Sequence, residues 1–490
     1  MRAMHTPRLT LLLGAILGAL LGGTTSCTGA APDEGPSSAT GGNASAPAST
    51  IAGTAATAPT APHPNLLVLV TDDHPHDALG AAGHSILRTP HMDALAADGV
   101  RFTHAFVTTP ICAASRASIL TGRYERSHGY TFTRPALREE LVAESYPVLL
   151  RDAGYRTGFV GKLGVKLPPG AREAMFDSFV SGTAPYQREG PDGAPRHLTE
   201  LNVDRAIAFL DEADDRPFCL SLSFQAPHAE DSNPEQFVWP ASCDELYVDD
   251  TVPAPELSDA AFFESLPAFL RSGFNRQRWS WRFDTPEKHQ RMVKGYWRML
   301  SGVDLGVGRL MRALDERGLR EDTVVILIGD NGYFLGERGW AGKWTMQDRS
   351  TRVPLIVWDP RLPDAARGRT VDAFALNLDV APTLLERAGV EIPAGVQGDS
   401  LLALLEGGAA PRREEVFTEH LWDHEHIPRT EGLRTPESKY IRYLDHPEYE
   451  ELYDLRVDPL EQHNLASDPA RAAELAAWRA RCDRAARRAE

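Results

Sequence analysis

Residues 66–70 form an unbroken apolar run that stops at Thr71-Asp72-Asp73, and residues 323–328 repeat the pattern, stopping at Gly329-Asp330-Asn331. A strand with no polar alternate position must be covered on both faces, the condition of a central strand in a parallel sheet layered between helices. A third run, residues 218–224, leads into Ala226-Pro227-His228. Helical patterns lie between them: Thr89-Pro90 is placed to cap residues 92–97, residues 204–213 are amphipathic, and a longer helix is expected over 291–317. Strands alternating with helices predict an α/β fold on a large, mainly parallel sheet flanked by helices. Ligands of such sheets sit beyond the carboxyl ends of the strands, so three strands deliver polar residues to one edge.

At that edge Asp72, Asp73, Asp330 and Asn331 offer only oxygen. Such a set suits a hard divalent cation, Ca²⁺ before Mg²⁺, because Ca²⁺ accepts irregular and bidentate carboxylate geometry. No His/Cys cluster accompanies the acids, which weighs against zinc. Helix capping is the ordinary alternative for Asp72-Asp73 alone; a second strand ending in acid and amide favours the metal.

The formal net charge of −17 leaves no basic surplus to displace counterions, which excludes a nucleic-acid backbone as partner. It does not exclude a cleft where a few Lys and Arg attract a small anion. Arg2 and Arg8 precede an apolar stretch over 9–21, a pattern of an export signal and too short for a membrane span. Thr24-Thr25-Ser26-Cys27 resembles a bacterial lipoprotein cleavage box, with Thr24 where Leu is usual, which would make Cys27 a lipid anchor point. Residues 28–64, nearly all Ala, Pro, Thr, Ser and Gly, have no apolar face to bury and read as a flexible tether. The expected organisation is a signal over 1–27, a linker over 28–64, a catalytic domain over 65–405 and a smaller α+β subdomain over 406–490. In the last, strands at 439–444 and 451–455 join by a turn at His446-Pro447, before a terminal helix over 469–489. Five cysteines do not make a disulfide scaffold. With Cys27 and Cys112 given other chemistry, Cys219, Cys243 and Cys482 cannot all pair.

Cys112 opens an Ala/Ser-rich helical segment, Cys112-Ala113-Ala114-Ser115-Arg116, continuing to Leu120-Thr121-Gly122-Arg123. Arg116 lies one turn on, on the same face, and a helix N-terminus stabilises an attached anion. Taken alone, Cys112 reads as a small buried apolar residue. The segment as a whole resembles the signature of the formylglycine-dependent sulfatases of the alkaline-phosphatase superfamily. The likeness continues in order through Thr71-Asp72-Asp73, Thr89-Pro90-His91-Met92-Asp93, Gly161-Lys162, Ala226-Pro227-His228, Gly329-Asp330-Asn331-Gly332, Gly342-Lys343 and Arg352-Val353-Pro354-Leu355. Glu451-Leu452-Tyr453-Asp454-Leu455 resembles the family's closing segment.

The resemblance implies an alkaline-phosphatase-like fold and hydrolysis of sulfate esters, with sulfated glycans as the substrate class. Cys112 would be converted to formylglycine by a formylglycine-generating enzyme. Its hydrate would offer one hydroxyl to attack sulfur and a second whose deprotonation ejects sulfate and restores the aldehyde. Asp72, Asp73, Asp330, Asn331 and residue 112 would hold the cation. Arg116 would hold the hydrate, Lys162 and Lys343 would bind sulfate oxygens, and His228 would protonate the leaving alcohol.

Two departures stand out. Ala114 replaces the usual proline, and Gly164 stands where many members carry a histidine that contacts the second hydroxyl. Either another residue takes that task or the step it assists is slower. The loops with Tyr333-Phe334, Trp340, Trp344 and Trp422-Asp423-His424-Glu425-His426 either shape a sugar pocket or simply pack. Two other activities share such a scaffold: phosphodiester or phosphonate ester hydrolysis, and ligand binding by a protein whose Cys112 is never oxidised.

Overall fold

The computed structural model describes residues 63–490, apart from 133, 213 and 409–412. The export signal, Cys27 and nearly all of the tether lie outside the described residues. Among those described, no helix is long and apolar enough to cross a membrane.

The main sheet has eight strands: β1 (Asn65–Thr71), β2 (Val100–Phe106), β3 (Arg156–Gly161), β4 (Ser178–Ser181), β7 (Phe218–Ser223), β8 (Thr323–Gly329), β11 (Leu355–Trp358) and β12 (Arg369–Leu376). Between them in sequence lie two short ribbons, β5 (Gln187–Glu189) with β6 (Pro195–His197) and β9 (Phe334–Leu335) with β10 (Ala341–Gly342). The order across the sheet is β12-β2-β11-β8-β1-β7-β3-β4. Only β11 runs antiparallel to its neighbours β2 and β8, so the sheet is mainly parallel, as the alternating pattern implied.

The unbroken apolar runs have the expected cause. In β1, Leu67 and Leu69 enter one core, and Leu66, Val68 and Val70 enter the other. β8 divides in the same way, Val325 and Leu327 against Val324, Ile326 and Ile328. The first core is closed by Leu300, Val303, Val307 and Leu310 of the long helix Pro286–Glu316. The second is closed by Ala113, Ala117 and Leu120 of the helix Cys112–Thr121. Each fully buried Leu, Ile or Val contributes about 2 kcal/mol, so these runs are committed to the centre of three layers.

Two helix starts differ from expectation for local reasons, and a third is as expected but capped by another residue. The helix expected over 204–213 is Leu198–Asp211, begun early by a capping box in which His197 accepts from the Thr199 N–H and Glu200 from the His197 N–H. The long helix starts at Pro286 because the Thr285 hydroxyl accepts from the Lys288 N–H. Thr89 is the N-cap residue of Pro90–Asp98, yet its hydroxyl is committed to Asp93 and Gly80. Asp304 of the long helix accepts from the His91 and Met92 N–H groups at 3.0 and 2.8 Å instead.

A second sheet of four antiparallel strands contains β13 (Val416–His420), β14 (Thr430–Arg434), β15 (Ser438–Tyr443) and β16 (Glu450–Asp454). Alternate residues again face two ways. Leu433, Tyr440 and Leu452 meet Leu475, Trp478 and Cys482 of the terminal helix Ala472–Arg488, whereas Ile441, Tyr443 and Tyr453 pack on Phe334, Trp340 and Met346. Cys112, Cys219, Cys243 and Cys482 are all buried, and Cys219, Cys243 and Cys482 are free thiols.

Two buried histidines set an acid limit. His420 is fully buried with neither ring nitrogen partnered, and burial drives its pKa down to about 3. His128 accepts from the Tyr130 N–H at Nδ1 and is likewise lowered, by burial first, to about 3. Between the unfolded value near 6.5 and these folded values the unfolded chain binds the extra protons. Stability is therefore full above pH 6.5 and falls as the pH drops. By pH 5 each histidine costs about 2 kcal/mol. Thermal denaturation at pH 7 and pH 5 is expected to show this loss, and His420→Leu is expected to flatten it by one histidine's share.

Candidate active site

Four adjacent parallel strands end together. In register, Thr71 of β1 faces Gly329 of β8, Val70 faces Ser223 of β7, and Gly161 of β3 faces Ser223. The next residues are Asp72, Asp330, the segment leading to His228, and Lys162. Backbone bonds fix the edge: the Asp330 N–H donates to Thr71 O at 2.9 Å and the Lys162 N–H to Ser223 O at 2.8 Å.

Asp72, Asp73, Asp330 and Asn331 are all essentially inaccessible to solvent. Asp73 has φ +59°, a left-handed conformation uncommon for a non-glycine residue. Its N–H donates to Asp330 Oδ1 at 3.2 Å, and the Tyr296 hydroxyl donates to its carbonyl at 2.7 Å. The Asn331 amide nitrogen donates to Asp73 Oδ1 at 2.7 Å, which leaves the amide oxygen turned elsewhere. Asp72 Oδ1, Asp73 Oδ2 and Asn331 Oδ1 are buried and accept no hydrogen bond. Buried oxygens are nearly always satisfied. Three orphans in one all-oxygen cluster fit a divalent cation.

The nucleophile candidate meets this cluster. Ile111, in extended conformation, is the N-cap of Cys112–Thr121, so Cys112 is the first helical residue. Its Sγ, one Asp72 oxygen and one Asp330 oxygen lie within 4.8 Å of one another; oxygens of Asp72 and Asp73 and a His228 nitrogen form a second such group. Arg116, one turn on, donates from Nε to Asp330 Oδ2 at 2.7 Å and lies 3.5 Å from Asp72. The rest of its guanidinium donates to the Lys162 carbonyl, the Ser223 hydroxyl and the Phe224 carbonyl.

Two lysines complete the ring. Lys162 donates to Asp72 Oδ2, and Lys343 to Asp73 Oδ1 at 2.5 Å. Lys343 follows the β9–β10 ribbon, and the Asn275 side chain holds its carbonyl at 2.8 Å. His228 Nδ1 lies 2.7 Å from the Ala229 carbonyl, which can only accept, so Nδ1 carries a proton and Nε2 is turned toward Asp73 Oδ2 at 3.8 Å.

The electrostatics follow from burying so many charges together. Burial alone raises the Asp72 carboxyl, but Lys162, His228, Lys343 and Arg116 outweigh it and hold it well below the usual range. Burial and the Asp72 charge push Asp330 up to about 7. Burial lowers His228 despite Asp73 and Asp72. Lys343 is held well above its ordinary value because Asp73 and its neighbours outweigh burial. Three carboxylates thus share one pocket uneasily, a state that a bound cation relieves.

All nine residues singled out in the sequence come together here. Gly164 has a structural reason: at φ +71°, a Cβ there would lie 2.8 Å from Arg116 Cδ, so the Arg116 side chain fills the space a histidine would need. Sequence reasoning missed Tyr296 and Ser223. Tyr296 is one turn among many in an amphipathic helix and Ser223 one residue of a buried strand, and neither carries a local signal. Of the aromatic loops, Phe334 and Trp340 belong to the packing between the two sheets. Trp344 packs with Ile111 and Ala114, against the start of the Cys112 helix.

The sulfatase family model matches residues 64–390, and a model of the N-sulphoglucosamine sulphohydrolase C-terminal region matches 336–485. An N-acetylglucosamine-6-O-sulfatase of Bacteroides thetaiotaomicron is 28% identical over 473 residues, covering 82% of each chain. A choline-sulfatase of Rhizobium meliloti is 28% identical, covering 83% of each. A protein solved in complex with its substrate D-glucosamine-2-N,6-O-disulfate superposes with TM-score 0.74 at 25% identity, covering 87% of this chain and 98% of that one. The phosphonate monoester hydrolase of Agrobacterium radiobacter shares the fold, with TM-score 0.74 at 24% identity over 87% of this chain and 96% of that one. With its acidic strand ends, buried cations and thiol drawn into one pocket, the chain belongs to the sulfatase family and is a sulfuric ester hydrolase.

Proposed function

We propose that this enzyme removes sulfate from saccharides, using residue 112 as formylglycine and Ca²⁺ held by Asp72, Asp73, Asp330, Asn331 and residue 112. The observation that carries the reading is the Cys112 side chain lying beside buried carboxylates that Arg116, Lys162 and Lys343 pair. When bound, the cation supplies acidity to the attacking group and offsets sulfate charge. Arg116 holds Asp330 and Asp72 and sets positive charge beside residue 112. Lys162 and Lys343 bind the sulfate oxygens, where charge shifts in the transition state. His228 carries a proton on Nδ1 toward Ala229 and, once protonated on Nε2 as well, delivers that second proton to the leaving alcohol. Net, a sulfate ester and water give an alcohol and hydrogen sulfate.

Export through the 1–27 segment, with anchoring at Cys27 or release, accords with a polymer substrate met outside the cytoplasm. Maturation would then need a formylglycine-generating enzyme that accepts Ala114. The saccharide reading is supported by the sugars acted on by the relatives above.

Because phosphonate hydrolases share the fold, turnover of matched aryl sulfate and aryl phosphate esters is the test. The sulfate ester is expected to win in kcat/KM by at least about 10²-fold. A preference for the phosphate ester would reverse the reading.

A further inference from the structure

Adjacent residues of a strand point to opposite faces of the sheet, so two consecutive acids cannot both address one point while the chain stays extended. Asp72 and Asp73 meet this conflict directly after β1. The chain resolves it at Asp73, whose φ of +59° turns the backbone out of the strand, and both carboxylates reach one pocket beside His228. Among the five ligand candidates only Asp73 has a positive φ. Such a conformation is unfavourable for a residue with a Cβ and persists only where its surroundings over-determine it.

The surroundings supply that constraint. The Tyr296 hydroxyl donates to the Asp73 carbonyl at 2.7 Å, and the Asp73 N–H donates to Asp330 Oδ1 at 3.2 Å. One residue on, the His74 N–H donates to Asn331 O at 2.8 Å. Gly329 permits this approach, since a Cβ there would lie 2.9 Å from the His74 carbonyl. The His74 ring closes the turn. Its Nε2 lies 2.8 Å from Ala78 O, which can only accept, so Nε2 carries the proton. Nδ1 then accepts from the Thr71 hydroxyl at 2.9 Å, nearer than that hydroxyl's other acceptor, Ile328 O, at 3.4 Å. Thr71 and His74 thus bond to each other across the two acids between them.

Tyr296 and His74 are both wholly inaccessible to solvent, and neither hydrogen-bonds a carboxylate. Tyr296 comes from the long helix Pro286–Glu316, where Phe237 meets its ring edge-on at 5.7 Å and Tyr333 stacks on it at 6.3 Å. The hydroxyl is aimed by that packing and not by the turn it serves. Resting on the metal reading above, we propose that Tyr296 and the Thr71–His74 pair are positioning residues for Ca²⁺. They hold the Asp72–Asp73 turn in its binding conformation before the ion binds, and so supply affinity without touching it.

The test is calorimetric titration of Ca²⁺ into chelator-stripped full-length enzyme, with thermal midpoints measured with and without saturating Ca²⁺. Tyr296→Phe keeps the ring and removes only the hydroxyl. It is expected to weaken Ca²⁺ binding about tenfold, the scale of an outer partner of a metal ligand, and to narrow the gap between the two midpoints. Thr71→Val is expected to weaken binding about fivefold, the size of one hydrogen bond. Thr71→Ser, which restores the hydroxyl, is expected to keep most of the affinity.

Unchanged affinity in Tyr296→Phe or in Thr71→Val overturns the proposal. So do midpoints that fall equally with and without Ca²⁺, the mark of a packing role alone. Should Tyr296→Phe not fold, the Thr71→Val and Thr71→Ser pair decides by itself. Wild-type protein that takes up no Ca²⁺ would sink the metal reading itself, whereas wild-type uptake matched by Tyr296→Phe sinks only the positioning role.

Discussion

Replacing Cys112 with alanine is expected to lower kcat toward a sulfate ester by at least about 10⁴-fold, with the fold retained. The loss is that large because no neighbouring group can substitute. Around the site Arg116, Lys162 and Lys343 pair with carboxylates, the Ser223 hydroxyl accepts from Arg116 and His228 is assigned the leaving-group proton, so none of them supplies the second hydroxyl that ejects sulfate. The fold is expected to survive because the substitution removes only one sulfur atom at the first position of a helix whose remaining residues stay packed. Measured kcat, with a thermal midpoint within a few degrees of wild type, checks both halves. Comparable turnover in the variant would move the nucleophile elsewhere.

Exhaustive chelation is expected to lower activity by at least about 10³-fold and to lower the thermal midpoint as well. Without a cation, Asp72 Oδ1, Asp73 Oδ2 and Asn331 Oδ1 are buried acceptors with nothing to accept from, and Asp330 is driven up to about 7 by burial and Asp72. Re-addition is expected to restore activity with Ca²⁺ first, Mg²⁺ less well and Zn²⁺ least, following the all-oxygen donor set. Full activity in the chelated protein would remove the metal from the account.

The central sheet was legible because apolar runs with no polar alternation leave a strand no alternative to burial on both faces. The acids after β1 and β8 were legible for the related reason that parallel strands share a carboxyl edge. Lys343 was not locatable from spacing, since a ribbon and Asn275 bring it back to the site, and only the motif resemblance singled it out. The Thr89-Pro90 start was read correctly, although Asp304 rather than Thr89 accepts from the first N–H groups, whereas the start at His197 was missed because histidine is seldom expected as a cap. The loop at Trp422 could be read as pocket or packing, and its half-buried ring packs on the cluster at the start of the Cys112 helix.

The central claim is that the side chain at position 112 acts as an oxidised carbonyl group beside a cation. Mass analysis of the tryptic peptide spanning residues 102–116, taken from active enzyme, addresses it without intermediaries. The expected peptide carries an aldehyde at position 112 that is captured by a hydrazide reagent. An unmodified thiol throughout a preparation that still turns over sulfate esters would contradict it.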